Sequence, residues 1–310
     1  MTGPRIIHVS PGGDDAADGS VKAPVRSLGR ALVLARAGDT VRLAPSVYEG
    51  NVRTTCPGVR VEGPKNALVR GPTNRRGIQV LHDDVALRGF TVEACDIGVW
   101  LYGVRGCLLE NLTLRDIGGE GVRIKNGSAN NVVRRCRFER LGRTGFDVAA
   151  GRKNGEGVYI GTAPEQRGRN TPPNVPDHCR GNVVEDCVFR TEAAEAVDIK
   201  EDSEENVVRR CLAEDSRDPD GGSFGARGDR NRFEACVARN GRGHGFRFGG
   251  DTVKRGEHGQ PVERVYGKNN VLRNCRAENN ARWGVAAMVT PQDIDASNRF
   301  ENNGRGARRP

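Results

Sequence analysis

Aromatic residues make up only 5% of this 310-residue chain, and its mean hydropathy is −0.60. Both values argue against a thick globular core. No apolar run approaches the length of a membrane span, which excludes a helical membrane protein. Met1 is followed by "TGPRIIHVSPGG" rather than a charged-then-apolar leader, so a cytoplasmic protein is expected, with a removed leader as the alternative. Zinc-ligand spacing, a basic helix and aromatics interleaved with basic residues are also missing, and so no nucleic-acid partner is expected.

What is present is glycine, 42 residues of it, and positive charge, formally +9. Arg far outnumbers Lys. Such a surface suits an acidic carbohydrate or another anionic small molecule; the plain alternative is a solvated Arg-rich face. Short runs of Val, Ile, Leu and Phe continue to the end of the chain, which excludes disorder.

Those runs repeat. Asn131-Val-Val-Arg-Arg-Cys136 returns as Asn182-Val-Val-Glu-Asp-Cys187, Asn206-Val-Val-Arg-Arg-Cys211, Asn231-Arg-Phe-Glu-Ala-Cys236, Asn270-Val-Leu-Arg-Asn-Cys275 and Asn298-Arg-Phe-Glu-Asn-Asn303. The Asn residues are 51, 24, 25, 39 and 28 apart, and the two long gaps hold loop-like insertions at about 161–181 and 249–269. A period of ~24 residues with alternating strands and no helical pattern predicts an all-β, single-stranded right-handed parallel β-helix, a solenoid forming one domain over 1–310. Leucine-rich repeats share the length, but their Leu-x-x-Leu-x-Leu pattern is missing. Stacked Asn amides would bond from coil to coil, and stacked Cys would pack as small buried hydrophobes, free rather than paired. A helix over 27–37, capped by Ser27, would close the N-terminal end within a cap of about 1–45.

The segment from Pro24 to Asn51, with its Ser-Leu helix, Gly-Asp-Thr-Val strand and Tyr-Glu, resembles the opening of pectin-lyase-like β-helix proteins. This resemblance speaks for fold and says little of activity.

The strand before each corner aligns as "EGVRIK", "EGVYIG", "EAVDIK", "GSFGAR" and "HGFRFG". Positions three and five are apolar and point inward; positions one, four and six point outward or into the corner. The outward columns are Glu120, Glu156, Glu195, Gly222, His244; Arg123, Tyr159, Asp198, Gly225, Arg247; and Lys125, Gly161, Lys200, Arg227, Gly249. Lys200 and Arg227 thus become neighbours beside Glu195, Asp198 and Tyr159, with Gly222 and Gly225 leaving room for a ligand. A solvated face of mixed charges is the competing reading. Lys is scarce, seven in all, yet one stands beside an Arg.

"EAVDIK…NVVRRC" followed by "GSFGARGDRNRFEAC" resembles the central turns of the chondroitinase B and alginate lyase type of polysaccharide lyase. The resemblance implies Lys200 as the base and Arg227 as the acid of a β-elimination on a uronate. It also implies calcium held by an Asn and two strand acids. Glu195 matches one acid, and Ala193 stands where the other would be, so the expectation is either no cofactor or calcium at Glu195 and Asp198.

A Lys beside an Arg is expected to have a lowered pKa suited to a base. Arg247, Arg123 or a metal would bind the substrate carboxylate. Tyr159 is a second proton donor, and Glu156 and His244 line the substrate site. A C5 epimerase shares the first step. A glycosidase using Glu195 and Asp198, or a non-catalytic glycan-binding scaffold, are the other readings.

Overall fold

The structure, a computed structural model, describes residues 3–169, 172–173, 175–250, 252–253 and 264–309. Three long parallel sheets, of 11, 10 and 10 strands, run the length of the molecule. A typical coil passes from Val207–Arg209 in the first sheet to Leu212–Glu214 in the second. It then enters Gly222–Ala226 in the third and returns to the first at Arg232–Glu234.

The short strands before the C-terminal coil bury a central residue, as with Val208 between Val207 and Arg209. Two residues suffice to turn from the first sheet to the second, and one adopts a left-handed backbone. This residue is not glycine: Arg135, Asp186, Arg210, Ala235 and Asn274 all have φ of 51–54°. The cost of that conformation is borne because parallel pairing above and below fixes the corner.

The Asn ladder stands as expected. Asn131 Nδ2 donates to Asn182 Oδ1 at 2.9 Å, Asn182 to Asn206 at 3.0 Å, and Asn206 to Asn231 at 3.1 Å, all buried. The last rung differs. Arg299–Glu301 pairs with Arg276–Glu278 in the second sheet, so Asn298 stacks beneath Cys275 rather than Asn270 and accepts the Cys275 N–H at 2.9 Å. Gln292 takes the place below Asn270. A short motif set one corner out of phase reads identically in sequence, which is why the repeat looked regular there. All nine cysteines are free.

The capping helix is Leu28–Leu34, with Ser27 Oγ accepting from Arg30 N at 3.1 Å. It ends before residue 37 because Ala35 is already extended. Leu28, Ala31 and Leu32 seal the first coils. Among the described residues, no helix is long and apolar enough to cross a membrane.

Of the two expected insertions, the first is largely described, whereas 251 and 254–263 of the second lie outside the described residues. A further loop, unmarked in the sequence reading, carries the antiparallel pair Phe146–Asp147 and Arg152–Lys153. Its Lys153 Nζ reaches Asp218 at 2.8 Å and Asp220 at 2.7 Å, tying the loop across the outer face of the third sheet.

Candidate active site

The register of the third sheet places the predicted columns as aligned. Arg123 pairs with Tyr159, Tyr159 with Asp198, Asp198 with Gly225, and Gly225 with Arg247. One residue further on, Arg227 N donates to Ile199 O, so Lys200 and Arg227 emerge side by side.

Outward from the coil does not mean exposed. Tyr159 is 2% accessible, Asp198 1% and Lys200 5%, with Glu156 and Glu195 also buried. Part of the cover comes from the first insertion: Tyr159 Oη donates to Gln166 Oε1 at 3.2 Å, and Arg167 pairs with Asp202. The solvated-face reading is thereby set aside.

Gly222 and Gly225 also differ from expectation. A Cβ on Gly222 would lie 2.8 Å from Arg247 N, and one on Gly225 would lie 3.2 Å from Asp198 Oδ1. Their missing side chains make room for the protein's own groups rather than for a ligand. Gly161, at φ +86° between Lys125 and Lys200, leaves a gap of another kind. Across it, both ammonium groups close on the Tyr159 ring, Lys200 Nζ at 4.4 Å and Lys125 Nζ at 4.8 Å from its centre.

Charges are packed densely here. Lys200 Nζ donates to Asp198 Oδ2 and lies 3.9 Å from Glu156 Oε1. Arg227 reaches the same Asp198 Oδ2 at 3.7 Å and Glu201 at 3.8 Å. Burial acts to raise the Asp198 carboxyl, but Lys200 and Arg227 overcome it and hold it at about 2. Burial acts to lower the Lys200 ammonium, as does Arg227, the one influence the sequence reading anticipated, yet Asp198, Tyr159 and Glu156 outweigh them and raise it. The expectation of a lowered Lys200 fails because Asp198, two residues away on its own strand, faces it directly. Arg227 is raised by Asp198 in spite of burial. Glu156 is pushed up to about 7 by burial and by Glu120, and Glu195 to about 8 by burial and by Asp198.

The lysine whose pKa does fall is Lys125, brought down to about 8 by burial and then by Arg123. Sequence reasoning listed it in the same column as Lys200 but passed over it; the intervening Gly161 was the available signal. Glu201, whose Oε2 is buried without a partner, was missed because it follows the strand and has no place in the columns.

The flanking candidates are further out. Arg123 pairs with Glu120, 5.5 Å over the Tyr159 ring. His244 lies two coils from Glu195, across Gly222, and its Nδ1 accepts from Trp283 N at 3.3 Å. Burial, then Arg282 and Arg247, brings its imidazole down to about 4, so it is neutral at pH 7.

Oxygens of Glu156, Glu195 and Asp198 lie within 4.8 Å of one another. Three carboxyl groups around one point fit a hard cation such as calcium in donor type, with Glu156 and Glu195 giving up their protons on binding it and further oxygens to come from water or substrate. Ala193 offers no oxygen; the Glu195 and Asp198 expected from the sequence stand together, and Glu156 from the neighbouring coil joins them.

Three long parallel sheets, with a buried charged cluster on the outer face of one, define a parallel β-helix protein. The chain belongs to the right-handed β-helix family, whose profile, described as "Right handed beta helix region", matches residues 65–161 and 174–308. A second profile, described as "Protein of unknown function (DUF1565)", matches residues 11–82. No curated protein matches the chain by sequence.

Among solved structures, an alginate lyase from Paenibacillus sp. str. FPU-7 superposes with a TM-score of 0.70 at 16% identity, covering 98% of this chain and 99% of that one. The pectate lyase Pel9A gives 0.62 at 16% identity over 96% and 80%. A protein titled "Glycoside hydrolase" gives 0.53 at 10% identity over 97% and 96%. At these identities the likeness establishes the fold.

Proposed function

We propose that the protein is a carbohydrate-active lyase that performs β-elimination on an acidic, uronate-type sugar. The observation that carries this reading is the convergence of Lys200, Arg227 and Tyr159 around Asp198 on one face. The end-to-end likeness of the fold to an alginate lyase supports it.

The elimination needs a base for the proton alpha to the carboxylate, charge to stabilise the resulting anion, and an acid for the departing oxygen. Lys200 takes the proton as a free amine. Its hydrogen bond to Asp198, which holds it as an ammonium, must first open, with Arg227 within reach as the second partner of Asp198, and the ammonium must release its own proton to solvent before the step. Arg227, anchored by Asp198 and Glu201, keeps its proton and so serves as the positive clamp on the substrate carboxylate, rather than as the acid that the resemblance implies. Tyr159 remains a phenol through burial and donates its proton to the leaving oxygen. The C–H bond breaks, a carbon–carbon double bond forms, and the glycosidic C–O bond is cleaved. Calcium held by Glu156, Glu195 and Asp198 would add charge that neutralises the substrate carboxylate.

A second reading has its own observation. The close approach of the Glu156, Glu195 and Asp198 carboxyls resembles the paired carboxyls of a retaining glycosidase, which stand about 5 Å apart. The product separates the two. A lyase leaves an unsaturated non-reducing end; a hydrolase adds water and leaves two saturated fragments.

A further inference from the structure

The column that contains Tyr159 continues towards the N-terminus through Arg123, Trp100 and Gln79, all in register. Beside it lies a cavity of ≈ 280 Å³, lined chiefly by Arg75, Arg76, Gln79, Asp96, Trp100 and Arg123. Three guanidinium groups here face two carboxylates, Asp96 and Glu120, and Glu120 is taken by Arg123. Arg76 lies over the Trp100 ring and donates from Nη1 to Gln79 Oε1 at 2.9 Å. Among the described residues neither Arg75 nor Arg76 forms an ion pair.

Trp100 is 4% accessible, and its Nε1 is buried without a hydrogen-bond partner. A buried indole N–H ordinarily finds an acceptor, and leaving one unmet is costly. An aromatic ring, an unmatched donor and surplus Arg charge form a polar, oriented site that lacks its acceptor.

We infer that this cavity is a second subsite for the same acidic glycan, resting on the carbohydrate reading above. An anionic group on a neighbouring sugar, carboxylate or sulfate, is held by Arg76 and Arg75, and a hydroxyl or ring oxygen accepts from Trp100 Nε1. Trp100 stands two coils from Tyr159, about 10 Å at the usual strand spacing. The substrate is therefore an oligomer with charged units on both sides of the cleaved bond, and a lone acidic monosaccharide is too short to fill both places.

The test separates binding from turnover. Calorimetry would measure binding of an acidic tetrasaccharide, uronate-only or sulfated, to Lys200→Ala alone and to Lys200→Ala combined with Arg76→Gln or with Trp100→Phe. Trp100→Phe keeps the ring and removes the donor. Each added substitution is expected to weaken binding by about tenfold or more, and the tetrasaccharide on which Arg76→Gln acts identifies the anionic group. Unchanged affinity in both double variants would overturn the subsite, even if the wild type proves to be a lyase. Affinity lost on substitution without any unsaturated product from the wild type would keep the subsite and reject the lyase. Failure of both tetrasaccharides to bind Lys200→Ala would overturn the subsite outright.

Discussion

Asp198 stands between Lys200 and Arg227: its Oδ2 accepts the Lys200 hydrogen bond and lies 3.7 Å from the Arg227 guanidinium. One carboxylate thus holds both positive groups of the proposed chemistry in a place where water barely reaches. Asp198→Asn removes its charge and leaves a buried ammonium short of a partner. Breaking one side of a buried pair costs roughly 3–5 kcal/mol, so the variant is expected to melt well below the wild type at pH 7. An unchanged melting temperature would show that Glu156 alone suffices for Lys200.

Lys125 predicts the opposite sign. Its folded pKa of about 8 lies below its ordinary value of 10.5, so the unfolded chain binds its proton more tightly. Stability from this group rises with pH between about 8 and 10.5, and below 8 the full cost of burying the charge is present. Lys125→Met is therefore expected to raise the melting temperature at pH 7, with the gain shrinking as pH approaches 10.5. It is also expected to lower turnover, because the positive charge beside Tyr159 is lost. Melting curves at pH 7 and pH 10 check the sign.

The Asn ladder carries a load that can be isolated. Asn206 Oδ1 accepts from both the backbone N and Nδ2 of Asn182, and its own Nδ2 donates to Asn231. Asn206→Ala leaves several buried groups unmatched, at about 1–3 kcal/mol each. Asn298→Ala, at a half-exposed end rung, is expected to cost less. Chemical denaturation of the two variants orders them.

Calcium gives a readout that does not depend on activity. A cation bound by the folded protein alone raises its stability through mass action. Added calcium is expected to raise the melting temperature of the wild type and to do less for Glu195→Ala or Glu156→Gln. Equal shifts in all three would place the ion elsewhere.

The fold was legible because stacking repeats its demands: Asn at one corner and Cys at the next recur wherever a coil must satisfy the same backbone groups. The error at Asn298 shows the limit, since a three-residue strand carries no mark of the sheet it joins. At the site, alternation was enough to put Tyr159, Asp198 and Lys200 on one face, and alignment put Arg227 beside them. Burial was not legible, because loops from distant parts of the chain supply the cover. The Lys200 charge state followed from that error. The sequence showed Lys beside Arg but gave no measure of how closely Asp198 approaches once water is excluded. Trp100 and Arg76 went unnoticed because they precede the segments aligned as repeats.

The elimination itself is followed by the ultraviolet absorbance of an unsaturated uronate product over a panel of uronate oligomers and polymers, with and without calcium. Wild type would be compared with Lys200→Ala, Tyr159→Phe and Arg227→Ala. Absorbance growth is expected from the wild type on at least one substrate, abolished by Lys200→Ala and reduced at least a hundredfold by each of the other two. New saturated fragments without absorbance, or growth that survives Lys200→Ala, would contradict an elimination by Lys200.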